Sequence, residues 1–496
     1  MPKVLLPHWF LLLVYMLLVC GTPATAATYV VAPDGHDAQP GTEAQPWKTL
    51  AKASAAVGPG DTVRIKAGEY YVGPTWIVRR AGAAESPITY RAFGDGPVRI
   101  TCSRLLPAEK WTHVTGAIYC CPVDQPVAAV FQNDYPLHAP GDRAKIFSVE
   151  EMIPNSFFVA EKALYVWLGD GSHPKDSAMR AAPGHVVSLY DCHYTVFDGL
   201  TVEYGFNGFK DQGKGTHNVV IRNCVIRSIG SQGIQPVPRQ CIIEKNLFQK
   251  IGSNKFQHGI YGSQPGTIIR GNVFEEIAGA AIHQYDQRKP AGGGCEFSGN
   301  VFRKPRPMTV RSAPPGGSYY VEIIAWGEGN NLISNNIFYG EGNRGGISLN
   351  SSDNRVYNNT FVASKYAVEF YRGKPGNRVV NNIVLDAGCF VVWPQGAMPQ
   401  TLEYNLYFNR TAAPRWEHEG AIYRDFGEYR QAAGEKHSLW ADPQLAGPAD
   451  GRLRPGSPAI DAGTALKEVR TDFFGGLRPQ GPAFDLGACE YKPDGK

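Results

Sequence analysis

The chain has 496 residues, enough for one very large domain or two to three ordinary ones. Its 49 Lys and Arg against 45 Asp and Glu leave a formal charge of +4, which excludes the strongly basic balance of a general nucleic-acid binder. Charged residues make up only 19%, while Gly (56) and Pro (37) are plentiful, the composition of a turn-rich β protein.

Residues 1–26 read as a signal peptide. Lys3 is the only early charge, FLLLVYMLLV is short for a membrane span, and Ala24 to Ala26 form a small-residue cleavage site. The mature chain is expected to begin at Ala27 or Thr28, secreted or periplasmic. Cys20 is the competing reading, a lipid-attachment cysteine, which Val19 and the later cleavage site disfavour. No second apolar run reaches membrane length, so no membrane span is expected. Nine cysteines remain (Cys102, Cys120, Cys121, Cys192, Cys224, Cys241, Cys295, Cys389 and Cys489) with no CxxC metal spacing. Export permits disulfides, but most of these positions suit a small apolar side chain, so buried thiols with one or two bridges at most are expected.

Further along, one pattern recurs. Aligned on Asn followed by an aliphatic or small residue, the chain repeats at Asn223, Asn246, Asn272, Asn300, Asn336, Asn359, Asn382 and Asn405, most often 23 residues apart. Each unit holds short β-rich runs separated by Gly, Asn or Ser. Such a coil cannot bury its own face, but coils stacked at the ~4.8 Å strand spacing can. The asparagines would then form a ladder, and Phe248, Phe274, Phe302, Phe338 and Phe361, two residues on, an interior aromatic stack. Both columns read as structural.

The pattern resembles the right-handed parallel β-helix proteins that act on carbohydrates, among them exported polysaccharide lyases and glycoside hydrolases. The resemblance covers nearly the whole mature chain. It implies an all-β parallel solenoid of ~23-residue coils, as its modal interval suggests. The segment TYVVAPDGHDAQPGTEAQPWKTLAKASAAVGPGDTVRIKAGEYY looks like the start of such proteins. There a short helix with Trp47, Leu50, Ala53 and Val57 on one face caps the stack. Residues 27–97 would form this cap and the first coils. Residues 98–184 resemble the small β insert of some β-helix glycoside hydrolases. Coils would fill 185–410, with an insertion near 287–318. The motifs LRPGSPAIDAGT and DLGACEY in 411–496 resemble a closing segment.

Within each coil one strand carries an inward aliphatic, so the next residue faces outward. That outward row reads Lys210, Gln235, Tyr261, His283, Glu322, Ser348 and Glu369, and a parallel row reads Gln212, Val237, Ser263, Tyr285, Ile324, Asn350 and Tyr371. Tyr261, Tyr285, Tyr371, Trp326 and Trp393 could stack on sugar rings. The expected catalytic groups are Tyr261 and His283, with His258 at the strand entrance and Glu322 one coil on. Imidazole titrates near neutrality, and a phenol can give or take a proton. His258 has a competing structural role at the turn. Lys210, Gln235, Tyr285, Glu369 and Tyr371 are expected to bind substrate, together with Arg288 and Arg311 from a basic insertion whose other cations are Lys289, Arg303, Lys304 and Arg306.

The resemblance implies a polysaccharide partner and leaves the reaction open. The residues suit β-elimination on a uronate-containing chain. Glu322 and Glu369, with Asp211 and Asp286, keep hydrolysis by paired carboxylates in play, and a non-catalytic glycan-binding protein is the third reading. No cofactor is implied with certainty. Asp34 and Asp37 offer oxygen ligands for Ca2+, a turn being the competing reading. Asp198 reads as a turn residue, and a monomer is expected.

Overall fold

The computed structural model describes residues 26–141, 144–262, 264–286, 293–304, 319–325, 329–341, 345–371, 374–447 and 450–493; of Asp286, Tyr319 and residues 322–325 it describes the backbone only. The chain winds as a right-handed parallel β-helix with three sheets of 12 strands each. One coil shows the plan. Ile268–Arg270 lies in the first sheet, Val273–Ile277 in the second and Ile282–Asp286 in the third. The same three steps recur in the coils above and below. All pairings within the first two sheets are parallel, and in the third only the final hairpin, Trp416–His418 with Ala421–Tyr423, is antiparallel.

The bend between the first two sheets is made by a single left-handed residue. Gly199, Asn223, Lys245, Gly271, Gly299, Asn335, Asn358, Asn381 and Tyr404 occupy it with φ between 51° and 75°. Gly and Asn dominate because they tolerate this region at least cost. The residue after each bend forms the asparagine ladder. Asn272 shows a complete rung: its Nδ2 donates to Ile243 O (2.8 Å) and Asn300 Oδ1 (3.0 Å), while its Oδ1 accepts from Asn246 N (2.9 Å) and Asn246 Nδ2 (3.0 Å). Every polar atom of this buried amide is satisfied, which is what allows it to be buried. The ladder runs from Asn246 through Asn405 to Ser438.

Asn223 is not a rung, contrary to the sequence alignment. It occupies the left-handed bend, one residue before the rung, and its amide donates to Asp198 Oδ1 at 2.8 Å. The rung position is Cys224, whose N–H donates to Asn246 Oδ1 at 2.9 Å. A second ladder, unmarked in the sequence, runs through Asn331, Asn354, Asn377 and Gln400 at the start of the first sheet. In earlier coils its column holds Cys241, Thr267 and Cys295. Ladder positions thus account for several of the cysteines. All nine described cysteines are free, and burial pushes the Cys224 thiol up to about 12.

Phe248, Phe274, Phe302, Phe338 and Phe361 stack face to face with centroid separations of 4.7, 5.2, 4.7 and 4.7 Å, all fully buried. Each such ring contributes roughly 1.5–3 kcal/mol by burial alone. The N-terminal end is closed by the helix Leu50–Ala56. Thr49 caps it, accepting from Lys52 N at 3.1 Å, and Leu50, Ala53, Val57 and Trp47 are buried on the core. The C-terminal end is closed by the helix Phe426–Ala433, whose Tyr429 stacks on Trp416 at 4.8 Å.

Between the second-sheet strand Val98–Thr101 and the third-sheet strand Val187–Leu189 the chain leaves the solenoid. It forms two four-stranded antiparallel sheets spanning Arg104 to Ala182, with hydrophobic clusters of their own. This excursion docks on the second sheet through Asp134, which accepts from Tyr204 Oη (2.6 Å) and Lys250 Nζ (2.8 Å), and through Tyr135, which donates to Glu276 (2.8 Å). After the C-terminal helix the chain returns as a strap along the coils. Asn335, Asn358 and Asn381 donate to its Thr471, Asp485 and Thr464 carbonyls at 2.8, 3.0 and 2.8 Å. In the doublets Asn335–Asn336, Asn358–Asn359 and Asn381–Asn382, the first residue therefore holds the strap and the second carries the ladder.

Candidate active site

The site is built on the outer face of the third sheet. Backbone register places Ile77, Ser188, Lys210 and Gln235 in one outward row. Pairing of Ile234 with Ile260 carries the row to Tyr261, and it continues through His283, Glu322, Ser348, Glu369 and Val392. Glu322 stays in the row despite the insertion before it, because Ile282 to Asp286 pair without a break with Val321 to Ala325. The parallel row holds only in part. Tyr285 pairs with Ile324, but Val237 is 0% exposed and belongs to the core, its chain having turned inward after Pro236. Trp393 is also buried (5% exposed), because Val392 takes the outward position in its strand. Ser263 and Trp326 lie outside the described residues.

At the centre four rings converge. Tyr261 and His283, on adjacent rungs, meet edge to face at 5.3 Å. His258 lies 5.3 Å from Tyr261 and 4.4 Å from His283, and Tyr285 lies 5.9 Å from Tyr261 and 5.7 Å from His283. His258 Nδ1 accepts from Ala280 N at 2.9 Å, and its Nε2 lies 3.0 Å from His283 Nδ1. With Nδ1 occupied as an acceptor, a neutral His258 carries its hydrogen on Nε2 and donates it to His283. His283 must then accept at Nδ1 and carry its own hydrogen on Nε2, which is buried within the cluster. Burial holds the His283 pKa down to about 4, so the ring is neutral at pH 7.

His258 is placed by a short polar ladder that sequence reasoning did not find. Asn207 Oδ1 accepts from Gln232 N (2.9 Å), Gln232 Oε1 from His258 N (2.6 Å), and His258 Nδ1 from Ala280 N. The signal was present as Asn207-Gly208, Gln232-Gly233 and His258-Gly259, an acceptor before a glycine in three successive coils. The glycine is needed because a Cβ on Gly259 would sit 2.6 Å from Ala281 O of the next coil. The structural role weighed for His258 is thus present, alongside its contact with His283.

The flanks differ in character. Toward the N-terminus, Lys210 Nζ donates to Gln235 Oε1 at 3.4 Å and Gln212 Nε2 donates to Ser188 Oγ at 3.1 Å. Asp211 turns away: its carboxylate accepts from Gly213 N (3.0 Å) and Thr216 Oγ1 (2.8 Å), and burial raises its pKa. Toward the C-terminus, Ser348 Oγ donates to Glu369 at 3.0 Å, and Tyr371 is 52% exposed. Arg288, Lys289, Arg306 and Arg311 lie outside the described residues. The insertion's other two cations face elsewhere: Arg303 and Lys304 pair with Glu275 on the second sheet at 2.7 and 3.4 Å. Asp198 pairs with Arg222 at 3.0 Å. Asp37 accepts from Lys48 N, Thr49 N and Thr49 Oγ1 at 2.9, 2.9 and 2.7 Å, the bonding of a turn residue. Among the described residues no group of three or more His, Cys, Asp or Glu gathers as a metal site, and no helix is long and apolar enough to cross a membrane.

The family described as "right handed beta helix region" matches residues 166–310 and 240–401 of the chain. Two solved structures align along almost the whole molecule. XylC in complex with xylose gives a TM-score of 0.56 at 13% identity, covering 94% of this chain and 99% of that one. Pectate lyase Pel9A gives 0.52 at 15% identity, covering 95% and 98%. The uncharacterized protein YwoF of Bacillus subtilis (strain 168) is 37% identical over 79 residues, only 16% of either chain. The chain is a right-handed parallel β-helix protein, and it shares this architecture with XylC and with pectate lyase Pel9A.

Proposed function

We propose that this chain is an exported carbohydrate-active enzyme that cleaves an acidic, uronate-containing polysaccharide by β-elimination. The observation that carries this reading is the Tyr261–His283 pair at the centre of the outward row, with His258 fixing the hydrogen-bond direction behind it. In β-elimination the proton α to the uronate carboxylate is removed, its electron pair forms the C4–C5 double bond, and the C4–oxygen bond breaks. The leaving oxygen gains a proton. In this reading Tyr261 carries the proton between carbon and leaving oxygen. The neutral His283 supplies an N–H to the negative charge that develops beside it. The likeness to a pectate lyase supports the fold's fitness for this chemistry and no more.

The purified mature protein should be incubated with acidic and neutral polysaccharides, following ultraviolet absorbance of unsaturated uronate and reducing-end release together. Absorbance rising with reducing ends, and lost in Tyr261→Phe, is the expected result. Reducing ends without absorbance favour the second reading, glycoside hydrolysis. The observation behind that alternative is the backbone register Glu322–Ser348–Glu369, two glutamate positions two rungs or about 9.6 Å apart along the axis. That is close to the ~6.5–9.5 Å separation of inverting hydrolases, and an inactive Glu322→Gln protein would then be expected.

A further inference from the structure

We propose that the face around Lys210 is a subsite for the carboxylate of a sugar residue, two rungs on the N-terminal side of Tyr261; the inference rests on the reading of this face as a carbohydrate site. Lys210 is half-buried and donates to the neutral amide oxygen of Gln235 at 3.4 Å. Among the described residues no carboxylate reaches it as an ion pair. The adjacent Asp211 is committed to Gly213 and Thr216. Burial lowers the Lys210 pKa and the neighbouring Asp211 offsets this only in part, so a half-buried ammonium on this face gains from an anionic ligand.

The groups around Lys210 suit a carboxylate. Beneath them Ser188 is fully buried, its hydroxyl 3.0 Å from Thr75 Oγ1 and accepting from Gln212 Nε2 at 3.1 Å, which fixes Gln212 beside Lys210. Gln235 spends its oxygen on Lys210, which leaves its amide hydrogens to donate. His185 stands behind, its Nδ1 3.2 Å from Asn207 Nδ2. Burial first, and Lys210 second, hold its pKa down to about 4, so it adds no charge at pH 7. The face therefore presents one cation beside a neutral amide, and Lys210 and Gln235 lie on the same row as Tyr261 and His283. The spacing from Lys210 to Tyr261 is two rungs, roughly 9.6 Å along the axis. A chain lying along the row would seat a second sugar there while the first meets Tyr261. The opposite flank carries Glu369, so the carboxylate preference is one-sided.

The test reads binding, in a Tyr261→Phe background so that turnover plays no part. The probes are galacturonate and glucuronate, polygalacturonate with its carboxyl-reduced neutral form, and galactose 6-sulfate. Lys210→Met is expected to weaken the acidic probes by roughly 10- to 100-fold. It should leave the neutral polymer unchanged, and Lys210→Arg should recover most of the affinity. Lys210→Gln serves if the Met variant does not fold. Equal binding of acidic and reduced polymer by the face with Lys210 intact would overturn the proposal. So would unchanged acid affinity in a folded Lys210 variant, or binding of the sulfated sugar alone. β-Elimination can fail independently: acid-selective binding at Lys210 without unsaturated product would leave the subsite standing and remove the lyase reading.

Discussion

His258 Nε2 and His283 Nδ1 lie 3.0 Å apart on neighbouring coils, and the hydrogen between them can run only one way. Ala280 N–H occupies the far nitrogen of His258, so His258 is the donor and His283 the acceptor. Imidazole 15N spectra at pH 7 should therefore show His283 as a single Nε2–H tautomer. In His258→Phe both tautomers should appear. A mixed population in the unsubstituted protein would refute the directional reading.

His283→Ala should lower turnover by about 10²–10⁴-fold with the fold intact. Near-ultraviolet circular dichroism checks the fold, and product absorbance checks the loss. Because folded His283 titrates near 4, the neutral ring persists well below pH 6, so loss of its neutral form should not limit activity until close to pH 4.

Acid should also weaken the fold in a defined window. An unfolded histidine titrates near 6.5, whereas His185 and His283 in the folded protein titrate near 4. Between these values the unfolded chain binds more protons, so stability falls as pH is lowered from 6.5 to 4 and is unaffected by these groups above 6.5. Asp485, raised to about 6 by burial, acts in the opposite sense, gaining a proton in the folded state first. Urea midpoints at pH 7.5 and 5 for the wild type and for His185→Gln/His283→Gln separate the two. The double variant should lose less on acidification.

The two kinds of asparagine should respond differently to substitution. Asn336→Ala strips partners from Asn300 N and Nδ2, from Phe297 O and from Asn359 Oδ1, and should cost about 3 kcal/mol. Asn223→Gly keeps the left-handed bend and gives up only the bond to Asp198, which should cost under about 1 kcal/mol. Denaturant titration of the two variants decides the assignment of the rung.

The strap is secured by the wholly buried pair Arg478–Glu490, with Arg478 also donating to Asn335 Oδ1 at 3.0 Å and Gly487 O at 2.9 Å. Arg478→Ala leaves Glu490 buried without its partner and should cost roughly 3–5 kcal/mol. Limited proteolysis should then cut within residues 443–493 before it touches the coils.

The coils could be read directly because a stacked coil must repeat its inward side chains at a fixed interval. Phe248 to Phe361 and Ile234 to Val368 are that constraint written out. Rungs whose chemistry tolerates substitution were harder to see. Cys224 fills an asparagine's place because only its backbone N–H is needed there, and Cys241, Thr267 and Cys295 conceal the second ladder for the same reason. The outward row followed from alternation alone. Val237 and Trp393 broke that rule where a strand ended or its phase shifted. The polar ladder behind His258 escaped notice because its members, Asn207, Gln232 and His258, share a role but not a residue type.

The strap has a consequence for how such a molecule can change in length. It grips the left-handed residues of three successive coils, Asn335, Asn358 and Asn381, each 23 positions apart. It thus works as a gauge: an extra residue in any of these coils would throw its grips out of step. Just before the strap's first grip, the interval from Asn300 to Asn336 stretches to 36 residues. Variation is admitted on the side of the molecule that faces His283 and shut out where the strap lies, so new specificity can arise without re-cutting the scaffold.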